Sequence, residues 1–565
     1  MTLAEIYMPV LSKWNQRLLL MLVLFWLVGT FAFWHRALQP SAWGSVPGTL
    51  FNLLLLIYAT GIPAWPFYLF LRMRQVRSDL PLPPGLRAAM VVTKAPSETW
   101  PLVQHTLEAM LEQEGDHDTW LVDELPTDQV RQWCLCHGVK LSTRAGVDDH
   151  HSPTWARRTG CKAGNLAYFY DHHGYSDYDV VVQLDADHVP QPGYLIAMLQ
   201  PFNDSAVGYV AAPSICSSNA NRSWVARGRL YAESLLHGPM QLGLNGSWSA
   251  LCFGSHYAVR TQALQEAGGL APDLADDHSN SLLLNAQGWR GAFAHRALCL
   301  AFGPETFNDL MVQELQWSRS LTTILLRHLP PLLFRLPPHL GLQFLYARAF
   351  YPLGACLSLF ALGLPVVALL FDHRWMRIHD PSFLVFIFLQ MALTIMPMLF
   401  LRSCGLLRLS NTPPVPWEHW LFELSRGPWV FAGVVGAVQE WLWRQPFTFR
   451  VKSQKSVNPP LPFYLLMPYL LAVVIGVLAA FVLGDSVRLV QGYVLLTLTT
   501  TATFAVTAMS IAVLSHRQGD HSLRYLPQIG LAGATVLIMI GCCLWSMPEV
   551  TAPLQLPYLL PQSTL

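Results

Sequence analysis

Charged side chains are scarce in this chain. Asp, Glu, Lys and Arg make up 13% of its 565 residues, whereas hydrophobic types make up 52%. Soluble domains carry roughly 25% charged residues, so the composition indicates a membrane protein, and the length allows two or three domains. The net charge at pH 7 is only +1. Nucleic-acid-binding surfaces are strongly basic, so we expect no nucleic-acid partner.

Paired cysteine motifs are also missing. The chain has 10 cysteines but no Cys-x-x-Cys, and Cys134-Leu-Cys136 is too tight and isolated for a zinc site. We therefore expect reduced, mostly buried thiols. No small-residue cleavage site follows the first apolar segment, so this segment is expected to be a membrane anchor and not a removed signal peptide.

Long apolar runs lie at both ends of the chain. A spanning helix needs about 20 apolar residues, and seven runs approach that length. They are Leu18–Trp34, Leu50–Leu71, Phe344–Phe371, Phe383–Leu401, Leu461–Leu483, Leu489–Leu514 and Ile529–Trp545. Trp417–Phe449 is amphipathic and is expected to lie in the membrane interface.

The distribution of basic residues predicts the orientation of these runs. Lys13 and Arg17 precede the first run, and Arg72, Arg74 and Arg77 follow the second. Basic residues favour the cytoplasmic side, so the predicted plan is a two-helix anchor (1–85), a cytoplasmic domain (86–335) and a second membrane domain (336–565). With seven spans, the tail after Met547 is expected outside.

The middle of the chain alternates between strand and helix patterns. Ala88–Thr93, Thr119–Val122, Val180–Leu184 and Tyr209–Ala212 are predicted strands, and Leu102–Glu114 is a predicted amphipathic helix. This alternation favours a doubly wound α/β fold, in which ligands bind at the carboxyl ends of the strands.

Two carboxylates follow the third of these strands. Asp185 and Asp187 are one residue apart, so both side chains can project beyond the strand end into one site. Close carboxylates repel each other unless a cation lies between them, and Mg²⁺ or Mn²⁺ carrying a diphosphate fits that need. The alternative is a turn in which Asp187 caps the next segment.

Three further segments carry candidate site residues, each with a structural alternative. Lys162 beside Gly164 suits a phosphate, or a solvated turn. Asp277, in the pair that precedes the predicted helix Ser281–Ala286, suits either a general base or a helix cap. Trp317 suits a sugar platform or an interfacial anchor.

These motifs and their order along the chain resemble those of processive family 2 glycosyltransferases of the bacterial cellulose synthase type. The pieces that carry the resemblance are Asp123, Lys162-Ala-Gly-Asn165, Asp185-Ala-Asp187-His188-Val189-Pro190, Phe253-Gly254-Ser255, Ala275-Asp276-Asp277 and Gln313-x-x-Gln316-Trp317. Segment 445–457, with Phe447-Thr-Phe449-Arg-Val451-Lys452, is similar to the gating loop of these synthases.

The resemblance implies a glycosyltransferase-A fold joined to a membrane channel. It implies that Asp277 is the base, that Asp187 with Asp185 binds the metal, and that Trp317, Phe253 and Gly254 contact the acceptor. The implied nucleotide-sugar contacts are Asp123, Lys162, Asp185, Gln313 and Gln316.

The chain departs from the family pattern at three places. Ala275-Asp276-Asp277 replaces Thr-Glu-Asp, Thr93-Lys94-Ala95-Pro96 replaces the usual first-strand motif, and Gln316 replaces an arginine. Arg319, one helical turn beyond Gln316, is a candidate to supply the missing charge with Lys162, or alternatively to bind lipid headgroups.

The resemblance implies an inverting synthase in the bacterial inner membrane. It would polymerise a UDP-sugar, with glucose expected, onto a growing polysaccharide and pass it across the lipid bilayer toward a periplasmic or outer-membrane export partner. Two alternatives remain: a non-processive transferase acting on a lipid, and a degenerate transferase serving as a channel or scaffold subunit.

Overall fold

The computed structural model describes residues 3–40, 43, 45–152, 162–254, 256–271, 276–370, 381–407, 416–444, 461–484 and 491–518. The expected gating segment at 445–457, the expected span Ile529–Trp545 and the tail after Met547 lie outside these residues.

Twelve strands are described. They are β1 Tyr7–Pro9, β2 Arg74–Val76, β3 Ala88–Lys94, β4 Asp118–Asp123, β5 Lys140–Ser142, β6 Val180–Leu184, β7 Val189–Pro190, β8 Val207–Ala211, β9 Ser214–Ile215, β10 Tyr257–Arg260, β11 Arg290–Phe293 and β12 Cys299–Leu300.

The α-helices before residue 335 surround these strands. They are α1 Leu3–Ile6, α2 Lys13–Ala37, α3 Val46–Gly61, α4 Ala64–Phe70, α5 Trp100–Leu111, α6 Asp128–Cys136, α7 Lys162–Phe169, α8 Tyr175–Asp177, α9 Tyr194–Leu199, α10 Trp224–Glu233, α11 Gln241–Leu244, α12 Thr261–Glu266, α13 Asp276–Ala286, α14 Phe307–Thr323 and α15 Leu329–Leu332. The later helices are α16 Pro338–Leu370, α17 Pro381–Ser403, α18 Trp417–Leu442, α19 Met467–Gly484 and α20 Gln491–Gln518.

The central element is a seven-stranded mixed sheet with the order β11-β8-β10-β6-β3-β4-β5. Strands β6, β3, β4 and β5 run parallel, as expected for a doubly wound fold. Strand β10 runs antiparallel to both β6 and β8, which the sequence did not predict. The α/β prediction is therefore confirmed, with a mixed sheet in place of a uniformly parallel one.

The sheet is covered on both faces. Ala88, Met90 and Val92 of β3 join one hydrophobic core with residues of α5, whereas Ala89 and Val91 join the opposite core with residues of α7. Alternate strand residues point to opposite faces, so a strand covered on both faces is apolar throughout. This explains the unbroken Ala-Ala-Met-Val-Val sequence.

Four described helical segments are long and apolar enough to cross a membrane. They are Lys13–Ala37, Val46–Phe70, Pro338–Leu370 and Leu496–His516, and the shorter apolar segments Leu389–Ser403 and Met467–Ala480 accompany them. These segments match six of the seven expected runs. Helix α18 is not among them, in keeping with its charged residues Glu418, Glu423, Arg426 and Glu440.

Helix α18 instead packs closely on the sheet-containing part of the chain, against α10 and α14. Gly228 of α10 lies against the backbone of Glu418, and Gly433 of α18 lies against Ser318 and the carbonyl of Leu315. Glycines at such crossings let two helix backbones approach each other. The amphipathic helix thus connects the mixed-sheet part of the chain to the apolar helices.

Candidate active site

Asp123 lies at the carboxyl end of β4, where it pairs with the end of the neighbouring strand. The Nζ of Lys94, the last residue of β3, lies 3.3 Å from Asp123 Oδ1 and 3.1 Å from Oδ2. The backbone N–H of Leu125 also donates to Oδ1 at 3.1 Å. Asp123 is 1% exposed, so its carboxylate is oriented by Lys94 beneath the strand ends.

Asp185 and Asp187 follow β6, as the sequence predicts. The Nζ of Lys162, at the start of α7, lies 2.6 Å from Asp185 Oδ1. Both carboxylates remain partly accessible, with 26% of the Asp185 side chain and 33% of the Asp187 side chain exposed. The structure therefore brings the expected donor-binding residues Lys162 and Asp185 and the expected metal ligand Asp187 to one accessible strand end.

Glu98 is an acidic residue of this site that the sequence analysis missed. Burial, together with the neighbouring Asp185 and Asp187 carboxylates, raises the pKa of its carboxyl to about 7. The backbone N–H of Ala95 donates to Glu98 Oε2 at 2.7 Å, which favours the charged form. The loop after β3 thus adds a third carboxyl group near the pair, which the departure at Thr93–Pro96 obscured.

His188 connects the carboxylate pair to the next part of the site. Its Nδ1 lies 3.0 Å from Asp187 Oδ1, and its Nε2 lies 3.3 Å from the hydroxyl of Ser214. Gly254 packs on Ser214 so closely that a Cβ at Gly254 would lie 3.0 Å from the Ser214 Cβ. Gly254 also has a φ of +118°, which favours glycine.

Asp277 lies on the other side of Gly254. The backbone N–H of Gly254 donates to Asp277 Oδ2 at 2.8 Å, and Asp277 is in the first turn of α13. The predicted base is therefore held by the predicted acceptor segment. Asp187, His188, Ser214, Gly254 and Asp277 form a continuous series of contacts.

The residue after Asp277 is fixed by a helix from the second apolar region. Arg348 of α16 donates from Nη1 to the Nδ1 of His278 and from Nη2 to the carbonyl of His278, both at 2.8 Å. Burial, followed by the positive charge of Arg348, holds the pKa of His278 well below its ordinary value. Phe253 packs edge-on against His278, with ring centroids 4.7 Å apart.

Gln313 and Trp317 share one face of α14, where both contact Arg229 of α10. Arg229 Nη1 donates to Gln313 Oε1 at 3.1 Å, and the guanidinium carbon lies 4.5 Å from the centre of the Trp317 ring. Arg319 lies elsewhere, in an ion pair with Glu440 of α18. The structure therefore places Arg319 at the α14–α18 contact, and it does not bring Arg319 to Lys162, which pairs with Asp185.

Two accessible carboxylates one residue apart suit a hard divalent cation, which prefers oxygen ligands. Among the described residues, no group of three or more His, Cys, Asp and Glu side chains is arranged to hold a metal ion. The expected metal ligands Asp185 and Asp187 would alone supply only part of a coordination sphere, and the phosphates of a bound ligand would have to supply further oxygens.

Comparisons with known proteins agree with this arrangement. Residues 180–401 match the model of the family described as "Glycosyl transferase family group 2". Cellulose synthase 1 of Komagataeibacter xylinus and that of Novacetimonas hansenii are each 27% identical over 260 residues, 44% of this chain. The match spans only 16% of the length of those relatives.

Two solved structures are similar to parts of this chain. The mannosyltransferase PcManGT from Pyrobaculum calidifontis, in complex with GDP-Man and Mn²⁺, is 16% identical with a TM-score of 0.45 over 69% of this chain and 99% of that one. Glucosyl-3-phosphoglycerate synthase from Mycobacterium tuberculosis is 15% identical with a TM-score of 0.26 over 39% and 73% of the two chains.

The mixed α/β sheet, with acidic residues at its strand ends, overlaps the residues that match the glycosyltransferase model. The chain is thus similar to family 2 glycosyltransferases and to cellulose synthases, and this similarity confirms the resemblance inferred from the motifs.

Proposed function

We propose that this chain is an inverting, membrane-embedded synthase that polymerises a nucleotide-activated sugar into a β-glucan-type polysaccharide and passes it across the cytoplasmic membrane. UDP-glucose is the donor inferred from the cellulose synthase likeness. The observation that carries the proposal is the series of contacts from Asp187 to Asp277. These contacts support a proposed diphosphate-binding carboxylate pair and a proposed base that act on one bound donor and acceptor.

In this proposal, the acceptor and the donor are served by different residues of the site. The acceptor hydroxyl gives its proton to Asp277 as its oxygen forms a bond to the anomeric carbon of the donor sugar. The bond from that carbon to the diphosphate oxygen breaks, and its electron pair leaves with the diphosphate. Attack from the face opposite the leaving group inverts the anomeric carbon. Gly254 orients Asp277 through its N–H bond to the carboxylate.

Three residues stabilise the negative charge of the donor diphosphate in this proposal. They are Asp185 and Asp187, through a bound metal ion, and Lys162. Mg²⁺ or Mn²⁺ held by the two carboxylates and the donor phosphates would neutralise the diphosphate as it leaves. Lys162, 2.6 Å from Asp185, orients that carboxylate and adds a positive charge close to the donor phosphates. Asp123, oriented by Lys94, would contact the nucleotide from the neighbouring strand end.

The acceptor side is formed by Trp317 with Phe253 and Gly254, and it leads toward the apolar helices. We place the catalytic domain in the cytoplasm of a bacterial cell, with the polymer moving outward to a periplasmic or outer-membrane export partner. The basic residues that flank the first two apolar segments support this orientation.

The direct test uses the full chain in lipid nanodiscs. It would be incubated with radiolabelled UDP-glucose, UDP-galactose, UDP-N-acetylglucosamine and GDP-mannose in separate reactions, and products would be digested with linkage-specific glycanases. The proposal predicts a long β-glucan from UDP-glucose, loss of synthesis in EDTA and recovery with Mg²⁺ or Mn²⁺. A single sugar on a lipid would favour the non-processive alternative, and no transfer from any donor would favour a scaffold.

A further inference from the structure

The helix that carries Gln313, Gln316 and Trp317 lacks the cation that its family relatives place at Gln316. A leaving diphosphate gains negative charge, so a cation fixed beside it stabilises the transition state more than the ground state. Gln316 can donate hydrogen bonds but has no charge. Arg319 is held by Glu440 on α18, so another residue must be considered.

Arg229 is the arginine that the structure places on the Gln313 and Trp317 face of α14. It belongs to α10, 84 residues before Gln313 in the sequence. Its Nη1 donates to Gln313 Oε1 at 3.1 Å, and its guanidinium plane lies over the Trp317 ring at 4.5 Å. Gln313 and Trp317 are four residues apart, and Gln316 lies between them in the sequence. The guanidinium therefore lies close to Gln316, the position at which the chain departs from the family pattern.

The orientation of this guanidinium is fixed. Arg229 Nε donates to Glu233 Oε1 at 2.9 Å, one turn along α10, and only 13% of the Arg229 side chain is exposed. In the part of the chain that the structure describes, these contacts use Nε and Nη1, which leaves Nη2 to meet a ligand. An arginine fixed in this way is preorganised to receive phosphate oxygens.

Arg229 also lies on the same side of the fold as the carboxylate pair. The buried thiol of Cys216 follows β9, and it is close enough to both Arg229 and Asp187 for each charge to act on it. Ser214, two residues earlier, contacts His188, which contacts Asp187. Residues 214–216 therefore lead from the carboxylate pair toward Arg229, the direction in which a diphosphate bound at Asp185 and Asp187 would extend to meet it.

We infer that Arg229 is a donor-binding residue that supplies, from α10, the positive charge that Gln316 does not supply from α14. Its ligand is the diphosphate of the nucleotide-sugar donor, and Glu233, Gln313 and Trp317 hold it in place. This inference rests on the proposed function. The alternative is a purely structural role, in which Arg229 contributes only to the packing of α10 against α14.

The test compares Arg229→Gln, Arg229→Lys and the double variant Arg229→Gln/Gln316→Arg. Arg227→Gln is the matched control, because Arg227 is on the same helix but pairs with Glu418 of α18 at 3.1 Å. All are measured as full chains in nanodiscs, for UDP binding by calorimetry in Mg²⁺ and for kcat and KM with UDP-glucose. Apparent melting temperatures establish that each variant is folded.

We expect Arg229→Gln to lower UDP affinity and to reduce kcat by about 100-fold, the usual scale for losing one preorganised electrostatic contact. Arg229→Lys keeps the charge and should retain more activity. The Gln316→Arg change should recover about tenfold of the loss, because it returns a cation to the same helix face. Arg227→Gln should bind UDP as the wild type does.

Equal losses in the Gln and Lys variants with no recovery in the double variant would show a structural role and overturn the inference. A folded Arg229→Gln protein with unchanged UDP affinity and kcat would also overturn it, while the proposed function would stand. A wild type that neither binds UDP nor turns over any donor would contradict the proposed function, and this inference with it.

Discussion

Arg348 of α16 binds both the imidazole Nδ1 and the carbonyl oxygen of His278, the residue that follows Asp277, with two 2.8 Å hydrogen bonds. The Arg348 side chain is fully buried. A residue of a candidate membrane span therefore fixes the first turn of the helix that carries the proposed base. The acceptor-facing part of the site is tied to the region through which the polymer is proposed to leave.

Replacing Arg348 should slow transfer and change its pH dependence. Arg348→Gln leaves the buried groups of His278 without their charged donor, a loss of about 1–3 kcal/mol. It also removes a positive charge that lowers the pKa of His278, so that pKa should rise. We expect kcat to fall at least tenfold and its pH profile to shift toward neutral pH. Donor KM should stay near the wild-type value.

Arg348→Lys is the conservative comparison, because it keeps the positive charge but cannot make both hydrogen bonds to His278. It should keep the wild-type pH profile with an intermediate kcat. Identical pH profiles for the wild type and Arg348→Gln would contradict an effect of Arg348 on His278.

Glu98 gives a prediction about stability and pH. Its pKa, near 4.5 when unperturbed, is about 7 in the folded protein. The fold disfavours the charged form, so stability is lost as the pH rises from about 4.5 through 7. Glu98→Gln keeps an oxygen for the Ala95 N–H but has no charge. At pH 8 without metal or donor, its apparent melting temperature should exceed that of the wild type by about 2–4 °C.

The same comparison at pH 5 supplies the check. At pH 5, Glu98 is mostly protonated in the folded wild type. The difference in melting temperature between the wild type and Glu98→Gln should therefore be smaller than at pH 8. A difference of the same size at pH 5 and pH 8 would show that the charge of Glu98 is not its cause.

Gly433 tests the contact between α18 and α14. A Cβ at this position would meet the Ser318 hydroxyl and the Leu315 carbonyl, whereas a Cβ at Gly436 would find its nearest neighbour, Arg319 Cδ, at 4.0 Å. Gly433→Ala should separate the helices, lowering both the melting temperature and synthesis. Gly436→Ala should be neutral or slightly stabilising, because alanine favours helix by about 0.5–1 kcal/mol over glycine. Equal behaviour of the two variants would contradict close packing at Gly433.

Cys136 offers a natural probe of orientation. It is exposed at the end of α6, whereas Cys134, Cys216, Cys252 and Cys299 are buried. A membrane-impermeant maleimide should label Cys136 in inverted membrane vesicles and leave it unlabelled in intact spheroplasts. Cys136→Ser identifies the signal that belongs to this thiol. Labelling of Cys136 in intact spheroplasts would place the catalytic domain outside and contradict the proposed orientation.

The site residues that the sequence predicts are those whose position follows from the pattern of their immediate neighbours in the chain. Asp123 and Asp185 follow short apolar stretches, because a buried strand must be apolar and its end must be polar. Local sequence pattern likewise predicted a helix after Asp277, which the structure begins at Asp276, and the amphipathic segment that contains α18. Their spatial relationship follows from the parallel pairing of β3 with β4 and β6.

Two of the missed residues, Arg348 and Arg229, act across long separations in the sequence. Arg348 contacts His278 from 70 residues away, and Arg229 contacts Gln313 from 84 residues away. Neither belongs to a local motif, so no spacing rule could find them. Strand β10 was missed for a similar reason, because four residues, Tyr257–Arg260, acquire strand structure by inserting between β6 and β8.

Transfer by the Asp277→Asn variant is the most direct test of the central claim. Asparagine keeps the shape of the side chain and can still accept the Gly254 N–H, but it cannot take a proton from the acceptor. Wild type and variant would be compared in nanodiscs for polymer formed from UDP-glucose, with UDP affinity and melting temperature measured in parallel. We predict a loss of about 10²–10⁴-fold in synthesis, with UDP affinity and stability close to wild type. Near-normal synthesis by Asp277→Asn would contradict the assignment of the base and, with it, the proposed arrangement of the site.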